Sequence, residues 1–124
     1  MNVTLWIIAG VLAAAFAGAG MMKLTTPREA LVEKMSWVAH ATDTQVKLVG
    51  LVEVLGAIGL VLPAIVDIAP ILVPVAAIGL ALTMVGAVIV HLREGEGVAA
   101  AMPAVVLGVL CLVVAWGRLG PYAF

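Results

Sequence analysis

Charged side chains are scarce in this 124-residue chain, where only 10% of the residues are Asp, Glu, Lys or Arg. Soluble domains carry about 25% charged residues. Apolar residues make up 65% of the chain, so lipid rather than water is the expected solvent of its surface. The few basic residues form no stripe that could neutralise phosphates, which argues against nucleic acid as a partner.

Cysteine and serine are almost absent as well. Cys111 is the only cysteine, so the chain can form neither an internal disulfide nor a thiol redox pair. Ser36 is the only serine and has no nucleophile elbow around it, which argues against Ser–His–Asp catalysis. No Glu-x-x-His motif occurs, and one His and one Glu on different helices are too few ligands for a metal. We therefore predict no metal site, and no cofactor motif is evident.

Four apolar runs, each long enough to cross a membrane, account for most of the chain. They cover residues 3–22, 48–66, 71–90 and 98–116. At about 1.5 Å per residue, a helix over each run spans a hydrocarbon core of roughly 30 Å. Short turns separate the last three runs, so those helices should pack antiparallel in chain order. The predicted fold is an all-α, antiparallel, integral-membrane four-helix bundle that forms a single domain over residues 1–124.

One long polar segment, residues 23–47, connects the first two runs. Thr26 and Pro27 have the pattern of a helix start, with a capping Thr and Pro at the first helical position. This pattern is consistent with an interfacial helix over residues 27–38 that lies on the membrane, and a plain linker is the alternative. The first run lacks the basic region of a signal peptide, so we expect it to be retained as a helix.

Basic residues are distributed unevenly between the two membrane faces. Five of the six fall on the side where the first run ends, and only Arg118 falls on the other. The five are Lys23, Arg28, Lys34, Lys47 and Arg93. The positive-inside rule makes that first side cytoplasmic and puts both termini outside. Trp6, Trp116 and Tyr122 gather at the outer side, as an aromatic belt should.

Glu53 is the residue that a membrane setting makes unusual. It lies six positions after Lys47, which is about 9 Å inside the second run. A carboxylate at that depth is costly unless it is paired, protonated or hydrated. Lys23, His91 and Lys47 end or begin their runs at a similar depth. We predict a polar site for a proton or a ligand from Glu53, Lys23, His91 and Lys47. The alternatives are a structural anchor between helices for Glu53 and snorkelling to headgroups for the lysines.

Small residues share the helix face of Glu53. Gly50 and Ala57 lie about one turn before and after it, so this face should point inward. Small residues let helix backbones approach closely, which favours association in lipid. The predicted packing positions are Gly18, Gly50, Gly56, Ala57 and Gly86.

Three segments resemble the DoxX-like family in their order and spacing: residues 17–24, residues 47–60 with Pro63, and residues 86–93. The resemblance implies a four-helix bundle in the inner membrane of a bacterial cell. It places Lys23, Glu53 and His91 at the most recognisable positions of the pattern. Some members are membrane subunits of a thiosulfate:quinone oxidoreductase, and others are linked to redox or sulfur metabolism. Distant animal relatives look like assembly chaperones for ligand-gated channels.

The leading hypothesis is a non-catalytic membrane subunit or accessory protein whose polar pocket holds a quinone, a lipid headgroup or a partner side chain. The expected partners are membrane lipid, a larger membrane or redox complex, and a second copy of the chain. One alternative is a small proton-coupled exporter, although such exporters carry their glutamate in the first helix. The other is a membrane enzyme acting on a lipid or quinone, with Glu53 and His91 as acid and base.

Overall fold

Four long helices make up the protein. The computed structural model describes residues 2–27, 29–31, 38, 41–93, 95 and 98–123, and these contain no strand. The helices are α1 (Asn2–Thr25), α2 (Asp43–Ile65), α3 (Leu72–Arg93) and α4 (Val98–Leu119). Each is long and apolar enough to cross a membrane. The prediction of an all-α four-helix membrane bundle is confirmed.

Polar residues extend the helices beyond the apolar runs. α2 begins at Asp43 rather than Leu48, because Thr42 and Gln45 form a capping box. The Thr42 side chain accepts a hydrogen bond from the Gln45 backbone N–H (3.1 Å), and the Gln45 side chain accepts one from the Thr42 N–H (3.0 Å). Both backbone donors at the helix start are thereby satisfied. Hydropathy predicts the apolar length of a helix, whereas its true ends depend on such polar contacts.

The helices form a ring in chain order. α1 packs on α2, α2 on α3, α3 on α4, and α4 on α1. Gly20 near the end of α1 meets Gly50 near the start of α2, so these helices are antiparallel. Only four residues separate α3 from α4, and the two pack extensively, so they are antiparallel as well. The α1–α2 and α3–α4 contacts are the most extensive. The bundle is therefore two tight hairpins joined along two less extensive seams.

Apolar stripes from all four helices meet in one core. Phe16 of α1, Leu60 of α2, Leu80 of α3 and Val114 of α4 are fully buried there. The outward faces are also apolar, and large side chains such as Ile7 are largely exposed. An apolar surface around an apolar core is what a lipid solvent requires.

The segment that follows α1 packs against the start of α2. The Leu31 N–H donates to the Pro27 carbonyl (3.1 Å), a spacing of four residues that is typical of a helical turn. Leu31, Val38 and Val46 form a small buried cluster apart from the main core. Residues 28 and 32–37 lie outside the described part of the chain, so the interfacial helix over residues 27–38 stays a prediction.

Candidate functional site

Lys23 and Glu53 form a buried ion pair between α1 and α2. The Lys23 Nζ atom lies 2.7 Å from Glu53 Oε1. Lys23 is 8% exposed and Glu53 is 3% exposed. A buried charge is strongly destabilising unless an opposite charge compensates it, so each side chain makes the burial of the other tolerable. The structure thus brings together two of the four side chains predicted for the site.

The ion pair has a poorly aligned contact in spite of its short distance. Glu53 Oε1 meets no donor with hydrogen-bond geometry in the part of the chain that the structure describes. The attraction to Lys23 is therefore chiefly between charges, and it leaves a carboxylate oxygen able to accept an aligned hydrogen bond.

Two glycines allow the pair to form. A Cβ atom built at Gly20 would lie 2.6 Å from the Gly50 carbonyl oxygen, and one at Gly50 would lie 2.8 Å from the Gly20 carbonyl oxygen. No side chain fits at either position, so the α1 and α2 backbones touch here. Lys23 and Glu53 each follow their glycine by about one helical turn and meet beside this contact.

The predicted packing positions divide into inward and outward ones. Gly50, Gly56 and Ala57 lie at helix contacts, and a Cβ at Gly56 would meet a Leu80 side chain atom at 2.6 Å. Gly18 and Gly86 are instead exposed, and a Cβ at either would meet no atom within 4 Å. Their predicted role in packing is not supported within this chain. The α1 contact uses Gly20, on the opposite side of the helix from Gly18.

Lys47 and His91 stand outside the ion pair. Lys47 is exposed, and its Nζ atom lies 3.2 Å from Asp43 Oδ2, one turn earlier on α2. This placement fits the snorkelling alternative for Lys47. His91 is half-buried in the last turn of α3, and the 2.7 Å contact does not involve it. Among the described residues there is also no cluster of three His, Cys, Asp or Glu side chains that could hold a metal ion.

A second buried polar cluster lies at the opposite end of the bundle, and sequence reasoning missed it. Arg118 is 4% exposed, and its Nη1 atom donates to Asn2 Oδ1 (2.6 Å) and to the Tyr122 carbonyl (2.9 Å). The guanidinium carbon lies 5.7 Å from the centre of the Trp6 ring, within the range of a cation–π contact. The cluster joins the start of α1 to the end of α4. A lone Arg near aromatic residues at a helix end was the available signal.

Two apolar grooves open on the sides of the bundle. One, of about 250 Å³, lies between α3 and α4, and the other, of about 320 Å³, lies between α2 and α3. Neither is lined by Lys23 or Glu53. The buried ion pair is therefore separate from both grooves.

Comparison with known proteins gives one match. The sequence model described as the DoxX-like family matches residues 7–114, a range that contains Lys23, Glu53 and His91. No curated protein and no solved structure matches the chain. The resemblance seen in the three sequence segments is confirmed. Together with the four apolar helices, the match indicates a multi-pass membrane protein.

Proposed function

The chain belongs to the DoxX-like family, and from this premise we propose that it is a small accessory or subunit protein of a membrane complex. Its polar site is the Lys23–Glu53 pair, which binds a quinone, a lipid headgroup or a polar side chain of a partner protein. The observation that carries the proposal is a buried ion pair between two apolar helices that are long enough to span a membrane.

Energetics favour a role for the pair beyond helix packing. Replacing a buried ion pair by apolar residues of similar volume is often neutral or stabilising by about 1–4 kcal/mol. The Gly20–Gly50 contact already holds α1 against α2 without any charge. Because helix packing does not require these two charges, we infer that they bind a ligand or a partner side chain.

The pair offers both kinds of hydrogen-bonding group to a ligand. Glu53 Oε1 has no well-aligned donor among the described residues. The Lys23 ammonium carries three N–H donors, more than one carboxylate oxygen uses. A small displacement of the pair would let a hydroxyl or ammonium bind the carboxylate, while a carbonyl or phosphate oxygen binds the ammonium.

The site's proposed position is near the cytoplasmic face of a bacterial inner membrane. Lys23, Lys47, His91 and Arg93 all lie in helix ends on one side of the bundle. This charge bias favours that side as cytoplasmic, with both termini outside. A ligand would then reach the pair from the inner leaflet or from a partner at that leaflet.

Co-purification tests the proposal. The full chain is isolated from its membrane in mild detergent, and bound lipids, quinones and proteins are identified by mass spectrometry. We expect a molecule that is enriched with the natural chain and lost from Glu53→Gln. Asp43→Asn is the matched control, because it removes an acid from the exposed Lys47–Asp43 pair of the same helix. Natural protein that carries no enriched molecule or partner would contradict the proposal.

A charge exchange separates binding from helix packing. In the double variant Lys23→Glu, Glu53→Lys, an ion pair of reversed polarity can form at the same contact. We expect thermal stability to recover relative to either single variant, while the co-purified molecule stays lost because its groups now face the wrong charges. If the double variant recovers both its thermal stability and the co-purified molecule, the pair serves only to hold the two helices together.

The two alternative functions predict activities that variants of Glu53 and His91 can test. Proton-coupled flux in liposomes that Glu53→Gln abolishes would support an exporter. Turnover of a lipid or quinone that falls in both Glu53→Gln and His91→Ala would support an enzyme. The accessory role predicts neither activity from the isolated chain.

A further inference from the structure

The groove between α3 and α4 follows the direction of a lipid chain. On α3 its walls extend from Ile78 to Val88, ten residues or about 15 Å of helix. All its lining side chains are apolar. Since both helices cross the membrane, the groove runs along the membrane normal, as an acyl chain does.

Gly108 lines this groove and has no side chain to occupy it. A Cβ atom there would lie 3.3 Å from the Met84 Cβ, so Met84 forms the floor of the groove opposite the missing side chain. A large side chain at position 108 has no room inward and would have to project along the groove. This position therefore offers a way to fill the groove without touching the ion pair.

The face of α3 that lines the groove leads on to the basic end of the helix. Ile78, Val85 and Leu92 recur every seven residues and share one face of the helix. Leu92 is half-exposed and stands between His91 and Arg93 in the last turn. Successive residues are rotated by about 100° around a helix, so His91 and Arg93 flank the stripe on its two sides.

We infer that this groove binds one phospholipid of the leaflet on the Lys23 side, with an acyl chain along Ile78–Val85–Leu92 and its phosphate at Arg93 and His91. The apolar walls match the chain, and the guanidinium matches the phosphodiester in charge and geometry. Glu94 and Glu96 follow Arg93 in the sequence, so the attraction for a phosphate rests on Arg93 itself rather than on the net charge of the segment. The inference uses neither Lys23 nor Glu53 and is independent of the proposed function.

Native mass spectrometry of the full chain in detergent tests this. The chain is titrated with phosphatidylglycerol and with diacylglycerol of the same acyl chains, which lacks the phosphoglycerol headgroup and its negative charge. We expect phosphatidylglycerol to bind about five-fold or more tightly than diacylglycerol, the effect of one cation near a phosphate. Gly108→Leu should weaken both lipids, and Arg93→Gln should weaken only phosphatidylglycerol.

Two control variants make the result specific. Gly10→Leu adds the same side chain to an outward face of α1, where a Cβ meets no atom within 4 Å. Lys47→Gln removes another exposed cation at the same membrane side. Both controls should bind phosphatidylglycerol and diacylglycerol as the natural chain does.

Three results would overturn the inference. They are unchanged binding in Gly108→Leu, equal losses in Arg93→Gln and Lys47→Gln, and equal affinity for the two lipids. A dimer that Gly108→Leu dissociates would assign the groove to a second copy and would also overturn it. If Gly108→Leu fails to fold, Arg93→Gln at its exposed position decides the outcome alone.

Discussion

Lys23 and Glu53 each compensate the buried charge of the other, and the packing of α1 against α2 requires neither charge. Glu53→Ala leaves a buried ammonium without its counter-charge, so we expect a loss of about 3–5 kcal/mol in unfolding free energy. Lys23→Met combined with Glu53→Leu removes both charges and should recover most of that loss. Asp43→Ala, which breaks the exposed pair with Lys47, should stay within about 1 kcal/mol of the natural chain.

Thermal unfolding in detergent, followed by circular dichroism, measures these differences. A double variant as unstable as Glu53→Ala would show that the charges themselves hold α1 and α2 together. The depth of Glu53 and its need for a basic partner could be predicted from the sequence, because helical rise converts position into depth. The choice of Lys23 over Lys47 and His91 could not, because it depends on how each helix is rotated about its axis.

At the scale of elements, helix rotation also decides which small residues lie at a contact between helices. Hydropathy finds α1 because lipid demands a long apolar run, but α1 is apolar on nearly every face, so the pattern cannot show which face is inward. Gly18 and Gly20 look equivalent in the sequence and face opposite ways in the structure. Similarly, the start of α2 was missed because a capping box lies outside the apolar run.

Gly20 and Gly18 of α1 give a matched test of the α1–α2 contact. Gly20→Ala puts a methyl group 2.6 Å from the Gly50 carbonyl oxygen, so the helices must separate. We expect a loss of about 1–3 kcal/mol, as for other overpacked contacts. Gly18→Ala, on the open face of the same helix, should leave stability unchanged or raise it slightly through helix propensity. Melting temperatures of the two variants check this, and equal effects would place the α1 contact elsewhere.

At the scale of the whole molecule, the ring of helices is closed by the seam between α4 and α1. This seam has the least extensive contact of the four neighbouring pairs. The end of the seam where α1 begins holds the buried Arg118 with Asn2 and Trp6, and Gly117 lets Leu5 pack against the α4 backbone. Because its contact is less extensive than that of the α1–α2 hairpin, the seam depends more strongly on these side chains.

Arg118→Gln should open this end of the ring. The shorter amide cannot reach both Asn2 Oδ1 and the Tyr122 carbonyl, and it loses the cation–π contact with Trp6. Spin labels at Val3→Cys and Leu119→Cys, with Cys111→Ala to remove the native thiol, report the distance between the helix ends. We expect a broader and longer distance distribution in Arg118→Gln, while Arg93→Gln, an exposed cation at the other end of the bundle, leaves it unchanged. The Lys23–Glu53 pair lies in the α1–α2 contact, so the opened ring should keep that pair and its bound molecule. A distance distribution that stays narrow in Arg118→Gln would mean that Leu5 and Gly117 close the seam without the arginine.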